Sequence, residues 1–247
     1  EGIQVVSAQD PFEYGLIALR AVRGTSAQLH IQVHTDFLSE WFIKSDGFRA
    51  PKGSVPFLNS LRIRIADYVL PRAEGIRVVS ERIKKSLVAR YPKQESLVEV
   101  IPVAVSNEPV ATVPFPPHSF SFALVSVSRL ESEKRIQDIL YAIARIQQVY
   151  PSVGIFIIGE GRERKRLQTL ATKLGLKDKA LFLGTRVDAR GLMKSAHAYI
   201  QASAYEGYGR TLLEAALARI PIITTDVGIV GEVFAGYEDV LSAPVAD

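Results

Sequence analysis

The sequence has no cysteine, which excludes disulfides and thiolate metal sites and fits a cytosolic protein. No apolar run approaches the roughly 18 residues a membrane-spanning helix needs, and no secretory leader pattern opens the chain. Internal repeats and low-complexity tracts are absent. So is a strong excess of one charge. Against 26 Asp and Glu stand 30 Lys and Arg, a formal +4 that suits phosphate-bearing ligands or anionic lipid and falls well short of a nucleic-acid-binding signature. What remains is 247 residues, 47% hydrophobic and 23% charged, the make-up of a folded protein with one large or two ordinary α/β domains.

Short apolar runs alternate with helix-period segments. Strands are expected over 2–8, 29–34, 75–79 and 98–102, then over 120–127, 153–158, 180–183, 198–201 and 221–224. Helices are expected over 11–23, through Leu61, Ile63, Ile65 and Ala66, and over 80–91 with Ser80 as N-cap. Further helices are expected over 136–149, over 162–174 stopped by Gly175, over 189–195, from about 209, and as one turn over 229–234. Residues 37–58, with Gly47, Pro51, Gly53 and Pro56, read as irregular. Pro109, Pro114, Pro116 and Pro117 mark a linker over 104–119, between a first domain at 1–103 and a second at 120–247. Nearly all-apolar strands alternating with helices predict α/β lobes with doubly wound parallel sheets, whose ligands sit beyond the carboxyl ends of the strands. Arg129, Glu160-Gly161, Gly184-Thr185 and Glu206 each follow a predicted strand, so their loops should share one edge.

The most informative stretch is Tyr205-Glu206-Gly207-Tyr208-Gly209-Arg210-Thr211-Leu212-Leu213-Glu214. Its glycines predict a tight turn and a helix starting near Gly209, whose free amides and positive dipole end suit a phosphate or diphosphate. Glu206 then lies on the loop and Glu214 about a turn into the helix, facing the same cleft. The plain alternative is a surface helix on which both glutamates are solvated.

Ser128-Arg129-Leu130 with Lys134, Ile158-Gly159-Glu160-Gly161, Phe182-Leu183-Gly184, Glu206 through Glu214, and Pro221 through Gly228 with Glu232 occur in an order and spacing that closely resembles the family 4 glycosyltransferases. These are retaining enzymes of the GT-B fold, with two Rossmann-like lobes and the site between them. The match covers residues 120–234. The first half is similar to the family's acceptor domain more weakly, through Val5-Val6 with Gln9-Asp10, His34-Thr35-Asp36, and residues 75–80.

The resemblance implies a hexosyltransferase that moves a sugar from a nucleotide-diphosphate sugar to a saccharide or lipid-linked acceptor, with no further cofactor. It implies Arg129 and Lys134 on the diphosphate and Glu206 on the donor sugar. The turn from Gly207 and Tyr208 through Gly209, Arg210 and Thr211 would hold sugar hydroxyls or phosphate. Glu214 would hold the ribose, Thr185, Arg186 and Val187 the base, and His34 would reach the donor sugar from the first domain. No Asp-x-Asp occurs, so a carboxylate-held Mg²⁺ is unsupported, and Arg129 and Lys134 take its place. The family's opening strand and glycine-rich loop have no counterpart, nor do the helices that follow Val240. The chain therefore reads as truncated at both ends, with an incomplete first lobe.

Other readings stand beside these. Arg129 and Lys134 also fit a solvated charge cluster with Glu131 and Glu133, and His34 a structural histidine at a strand end. Lys84-Lys85 fits either an exposed helix face or a peripheral contact with anionic membrane at the inner, cytoplasmic face. The whole fits a hydrolysing sugar-nucleotide epimerase of the same architecture, or a non-catalytic sugar-nucleotide-binding or assembly subunit.

Overall fold

The computed structural model describes residues 2–44 and 57–245. The expected irregular stretch around Gly47, Pro51 and Gly53 lies outside the described residues. The chain divides into two compact units, Glu1–Val103 and Ala104–Asp247.

In the first unit the order is β1 (Val5–Ala8), α1 (Glu13–Val22), β2 (Gln28–Val33), α2 (Glu40–Lys44), α3 (Phe57–Val69), β3 (Gly75–Val78), α4 (Glu81–Arg90) and β4 (Val98–Val100). The four strands form one parallel sheet in the order β1-β2-β3-β4. Leu29, Ile31 and Val33 are buried on one face beside Ile76 and Val78. The opposite face is polar: Gln32 donates to Ser7 Oγ at 3.0 Å and Arg77 to Gln32 Oε1 at 2.9 Å. Ser80 caps α4 as expected, accepting from Ile83 N at 3.3 Å. α2 corrects the reading of 37–58 as wholly irregular. Ser39 Oγ accepts from Phe42 N at 3.3 Å, an N-cap that the serine before Glu40 announces. β1 is also shorter than the expected 2–8.

The second unit runs β5 (Phe122–Val127), α5 (Ile136–Ile146), β6 (Val153–Ile158), α6 (Arg164–Lys173), β7 (Ala180–Gly184), α7 (Ala189–Met193), β8 (Ala198–Gln201), α8 (Arg210–Leu217), β9 (Ile222–Thr225), α9 (Val230–Val233) and β10 (Val240–Ala243). All six strands are parallel, in the order β10-β9-β8-β5-β6-β7. β6 is buried along its whole length because the sheet is covered on both faces. One layer centres on Ile139, Ile143, Ile155, Ile157 and Leu167, the other on Val125, Phe156, Tyr199 and Leu212. Fully burying each large side chain stabilises the fold by about 1.5–3 kcal/mol. β10 adds a strand that the sequence pattern did not indicate.

The proline-bearing segment forms no regular element, yet its second half is bound. Val113 N donates to Gly191 O at 3.0 Å, Ser195 Oγ to Val113 O at 2.7 Å, and the Phe115 ring stacks on Phe156 with centroids 3.7 Å apart. Gly191 permits this approach, since a Cβ there would meet Ala111 O and Val113 Cγ2, each at 2.7 Å. Gly191→Val should therefore lift the segment at a cost of about 1–3 kcal/mol. Limited proteolysis checks it: cleavage between residues 104 and 119 should become several-fold faster, and an unchanged rate would contradict the packing described.

Candidate functional site

The six-stranded sheet has the doubly wound order 3-2-1-4-5-6, with β5 as the first strand. β5 pairs with β8, Leu124 opposite Ala198, and from this pair the chain leaves in opposite directions. α5 leads to β6 on one side, α8 to β9 on the other. The loops after β5 and β8 flank the topological switch point, where such sheets open a ligand crevice.

Glycines and backbone hydrogen bonds set both loops. Leu130 N donates to Glu160 O at 2.8 Å and Glu163 N to Leu130 O at 3.0 Å, which presses residues 128–130 onto the Glu160-Gly161 loop. A Cβ on Gly161 would fall 2.2 Å from Leu130 O, so only glycine allows the approach. Ala204 N then donates to Glu133 O at 2.8 Å, tying the loop after β8 to the loop after β5. On the other side Thr225 Oγ1 donates to Ser203 O at 2.6 Å and Ile229 N to Tyr208 O at 3.0 Å.

This scaffold brings Lys134 and Glu206 together. Lys134 Nζ lies 2.8 Å from Glu206 Oε1, with side chains only 11% and 13% exposed. The buried Ser203 donates to the same oxygen at 2.8 Å. Oε1 thus receives two donors, and Oε2 is the oxygen left for a ligand. Gly209, at φ 99°, is the N-cap of α8 and offers no side chain, so the first amides of the helix keep their capacity for an anion.

Beneath the helix start Tyr199 is fully buried, its hydroxyl 2.9 Å from both Gln201 Oε1 and Thr211 Oγ1. Burial pushes the Tyr199 phenol well above its usual value. The Thr211 bond works against this, and the smaller effects of the Glu206 and Glu214 charges add to it, so the group stays protonated. Ser128 Oγ and Gln201 Nε2, where β5 and β8 end, are buried without a hydrogen-bond partner among the described residues. Two such atoms at one switch point are candidates for contact with a bound water or ligand.

The remaining expected residues divide. Arg129 is 72% exposed and reaches Glu133 at 3.0 Å, so the expected charge cluster exists for Arg129 while Lys134 points elsewhere. Such an exposed pair is worth about 0–1 kcal/mol and yields readily to a ligand. Glu214 is largely buried and takes Arg210 Nε at 3.1 Å, one turn back on α8. Thr185, Arg186 and Val187 lie exposed in the loop after β7, where Arg186 holds Asp188 by two bonds of 2.8 and 2.6 Å. Gly207 and Tyr208 are half-buried in the turn itself. Sequence reasoning missed Ser203, Ser128, Gln201 and Tyr199. A serine three positions before Glu206 and a glutamine ending a buried strand were the available signals.

Residues 119–246 match the family described as glycosyl transferases group 1. The chain belongs to that family. It is 31% identical over 157 residues to a human phosphatidylinositol N-acetylglucosaminyltransferase subunit, covering 63% of this chain and 32% of the relative. To an uncharacterized glycosyltransferase of Methanocaldococcus jannaschii it is 25% identical over 167 residues, covering 64% of this chain and 41% of the relative. Anabaena HepE, solved in complex with UDP, superposes with a TM-score of 0.78 at 20% identity, over 99% of this chain and 65% of HepE. The two-lobed GT-B architecture is thereby shown. The chain spans well under half the length of these two sequence relatives.

In the first unit, His34 follows β2, its Nε2 3.2 Å from Gln9 Oε1. Asp36 is structural, accepting from Ser86 Oγ at 2.8 Å and Leu38 N at 3.2 Å. Burial first, and the Arg77 charge second, lower the His34 pKa from 6.5, so the imidazole is neutral at pH 7. The unfolded chain takes that proton more readily, so His34 subtracts stability as pH falls below about 6.5. NMR titration should give a His34 midpoint below 6.5 that rises in Arg77→Gln; a midpoint at or above 6.5 in the native chain would contradict this.

Proposed function

We propose that the second unit is the donor half of a retaining hexosyltransferase that takes its sugar from a nucleoside-diphosphate sugar without a metal ion. The observation that carries the reading is the Lys134–Glu206 pair at the switch point, beside the uncapped start of α8. A diphosphate laid across that start meets the helix amides and the Lys134 ammonium, and Arg129 needs to give up only an exposed pair to join them.

Charge develops on the phosphate oxygen as the glycosyl bond breaks, and fixed cations and amides stabilise it most where water is excluded. Glu206, its Oε1 saturated, presents Oε2 to a hydroxyl of the sugar. Glu214 and the loop of Thr185, Arg186 and Val187 are assigned to the ribose and the base. The neutral His34 has the hydrogen-bonding capacity a sugar hydroxyl needs. Retention follows from a same-face substitution. The bond from the anomeric carbon to phosphate breaks, the bond to the acceptor oxygen forms, and the acceptor's proton passes to the leaving phosphate. No protein nucleophile is required. Metal independence is supported by the cations at the site and the missing Asp-x-Asp. The acceptor class is a saccharide or a lipid-linked saccharide.

Uridine nucleotides are the first to try, given the HepE complex, and N-acetylglucosamine the first sugar, given the human relative's name. UDP should raise the melting temperature equally with and without EDTA. Lys134→Ala should weaken UDP by roughly 1.5–3 kcal/mol and leave uridine unchanged, measured by calorimetry. Equal losses for uridine and UDP would contradict a phosphate role. Donor binding without turnover over a broad acceptor panel would favour a non-catalytic binding role instead.

A further inference from the structure

Among the described residues only Arg135 and Arg219 combine a side chain with a left-handed backbone, at φ 48° and 58°. L side chains rarely adopt that conformation, and where they do the surrounding structure must hold it. Arg219 closes α8, its amide donating to Ala216 O at 2.9 Å, which is an ordinary way to end a helix. Arg135 differs. It ends a single 3₁₀ turn, Ser132–Lys134, and α5 opens at the very next residue, where the usual N-cap is extended.

Hydrogen bonds pin the chain on both sides of Arg135. Before it, Lys134 N donates to Glu131 O at 3.0 Å and Arg135 N to Ser132 O at 3.2 Å. The bond from Ala204 N to Glu133 O ties this turn to the loop after β8. After it, Asp138 N donates to Arg135 O at 2.9 Å, and the Arg135 Nε reaches Asp138 Oδ2 at 2.6 Å. Lys134 extends to Glu206 at 2.8 Å, while Ile136, two residues on, is buried in the core. The left-handed residue stands between these two fixed directions.

We infer that Arg135 is the positioning residue of Lys134. Its left-handed backbone turns the chain between the 3₁₀ turn and α5, so that the ammonium enters the crevice at Glu206. The guanidinium clamps this conformation by turning back onto Asp138 of α5. A residue that takes the left-handed region freely can therefore replace Arg135, and one that avoids it moves Lys134. What Lys134 does for a diphosphate rests on the proposed function; where its side chain points does not.

Two substitutions separate backbone from charge. Arg135→Gly and Arg135→Val both remove the guanidinium, but glycine enters the left-handed region freely and valine does not. The first measurement is acetylation of Lys134 by acetic anhydride, followed by mass spectrometry, with exposed Lys165 as internal reference. Lys134, shielded and ion-paired, should label slowly in the native chain and within about two-fold of that rate in Arg135→Gly. It should label about ten-fold faster in Arg135→Val, the left-handed penalty expressed as a rate, and faster also in the control Glu206→Gln. Lys165 should not change. Melting curves establish folding, and Arg135→Ala, which keeps the penalty without the branch, replaces a valine variant that does not fold. The second measurement is UDP affinity by calorimetry. It should fall about ten-fold in Arg135→Val and hold in Arg135→Gly, with no further loss when Arg135→Val is added to Lys134→Ala. Equal labelling of Lys134 in the glycine and valine variants, or equal loss of UDP affinity in both, would overturn the inference. A Lys134→Ala variant that binds UDP normally, beside the expected labelling pattern, would uphold the role of Arg135 and contradict the proposed function instead.

Discussion

The ion pair between Lys134 and Glu206 holds together the two loops at the switch point of the second unit. Two charges held nearly out of water cost more to desolvate than one salt bridge returns unless further hydrogen bonds complete them. Here the Ser203 hydroxyl supplies one, on the oxygen that already meets the ammonium. The rest of the local structure keeps the two chains at the required distance: the Glu160-Gly161 loop under residues 128–130, the bond from Ala204 N to Glu133 O, and the Thr225 and Ile229 bonds to the loop after β8. Removing one member alone would strand the other in a site built for a pair.

The pair also changes what the two residues can do separately. Assigned from the sequence to different ends of a donor, Lys134 to phosphate and Glu206 to sugar, they touch in the structure. An anion that recruits Lys134 brings its charge within reach of the Glu206 carboxylate, so the two subsites are electrostatically coupled. In the proposed reading Glu206 both holds the ammonium in place and opposes the phosphate that the ammonium would attract.

Much of the second unit was legible in the sequence because its strands are apolar and its helices are punctuated by Gly175, Gly209 and Pro221. β6 and β8 fall on the expected residues, and Gly209 stands at the start of α8 as its spacing suggested. β10 was missed because Val240–Ala243 is an edge strand with mostly exposed side chains and no strong pattern. α2 was missed because Gly47 and the prolines beyond it overshadowed the Ser39 cap. The site was legible as loops on one sheet edge, but not as contacts. Lys134 and Glu206 are 72 residues apart, and only the adjacency of β5 and β8 joins them. Which side of α3 faces water was also hidden, because Leu61 and Ala66 lie on different faces of the helix and nothing in the sequence says which of them is buried.

A double-mutant cycle in UDP affinity reports whether a diphosphate sits at the Lys134–Glu206 pair. Calorimetry on the native chain, Lys134→Ala, Glu206→Gln and the double variant gives the coupling between the two side chains. A coupling of about 0.5–3 kcal/mol is expected, with Glu206→Gln alone leaving UDP affinity unchanged or raised because it frees Lys134 and removes a neighbouring negative charge. Additivity within about 0.3–0.5 kcal/mol would show that the diphosphate does not sit at this pair, and would contradict the account.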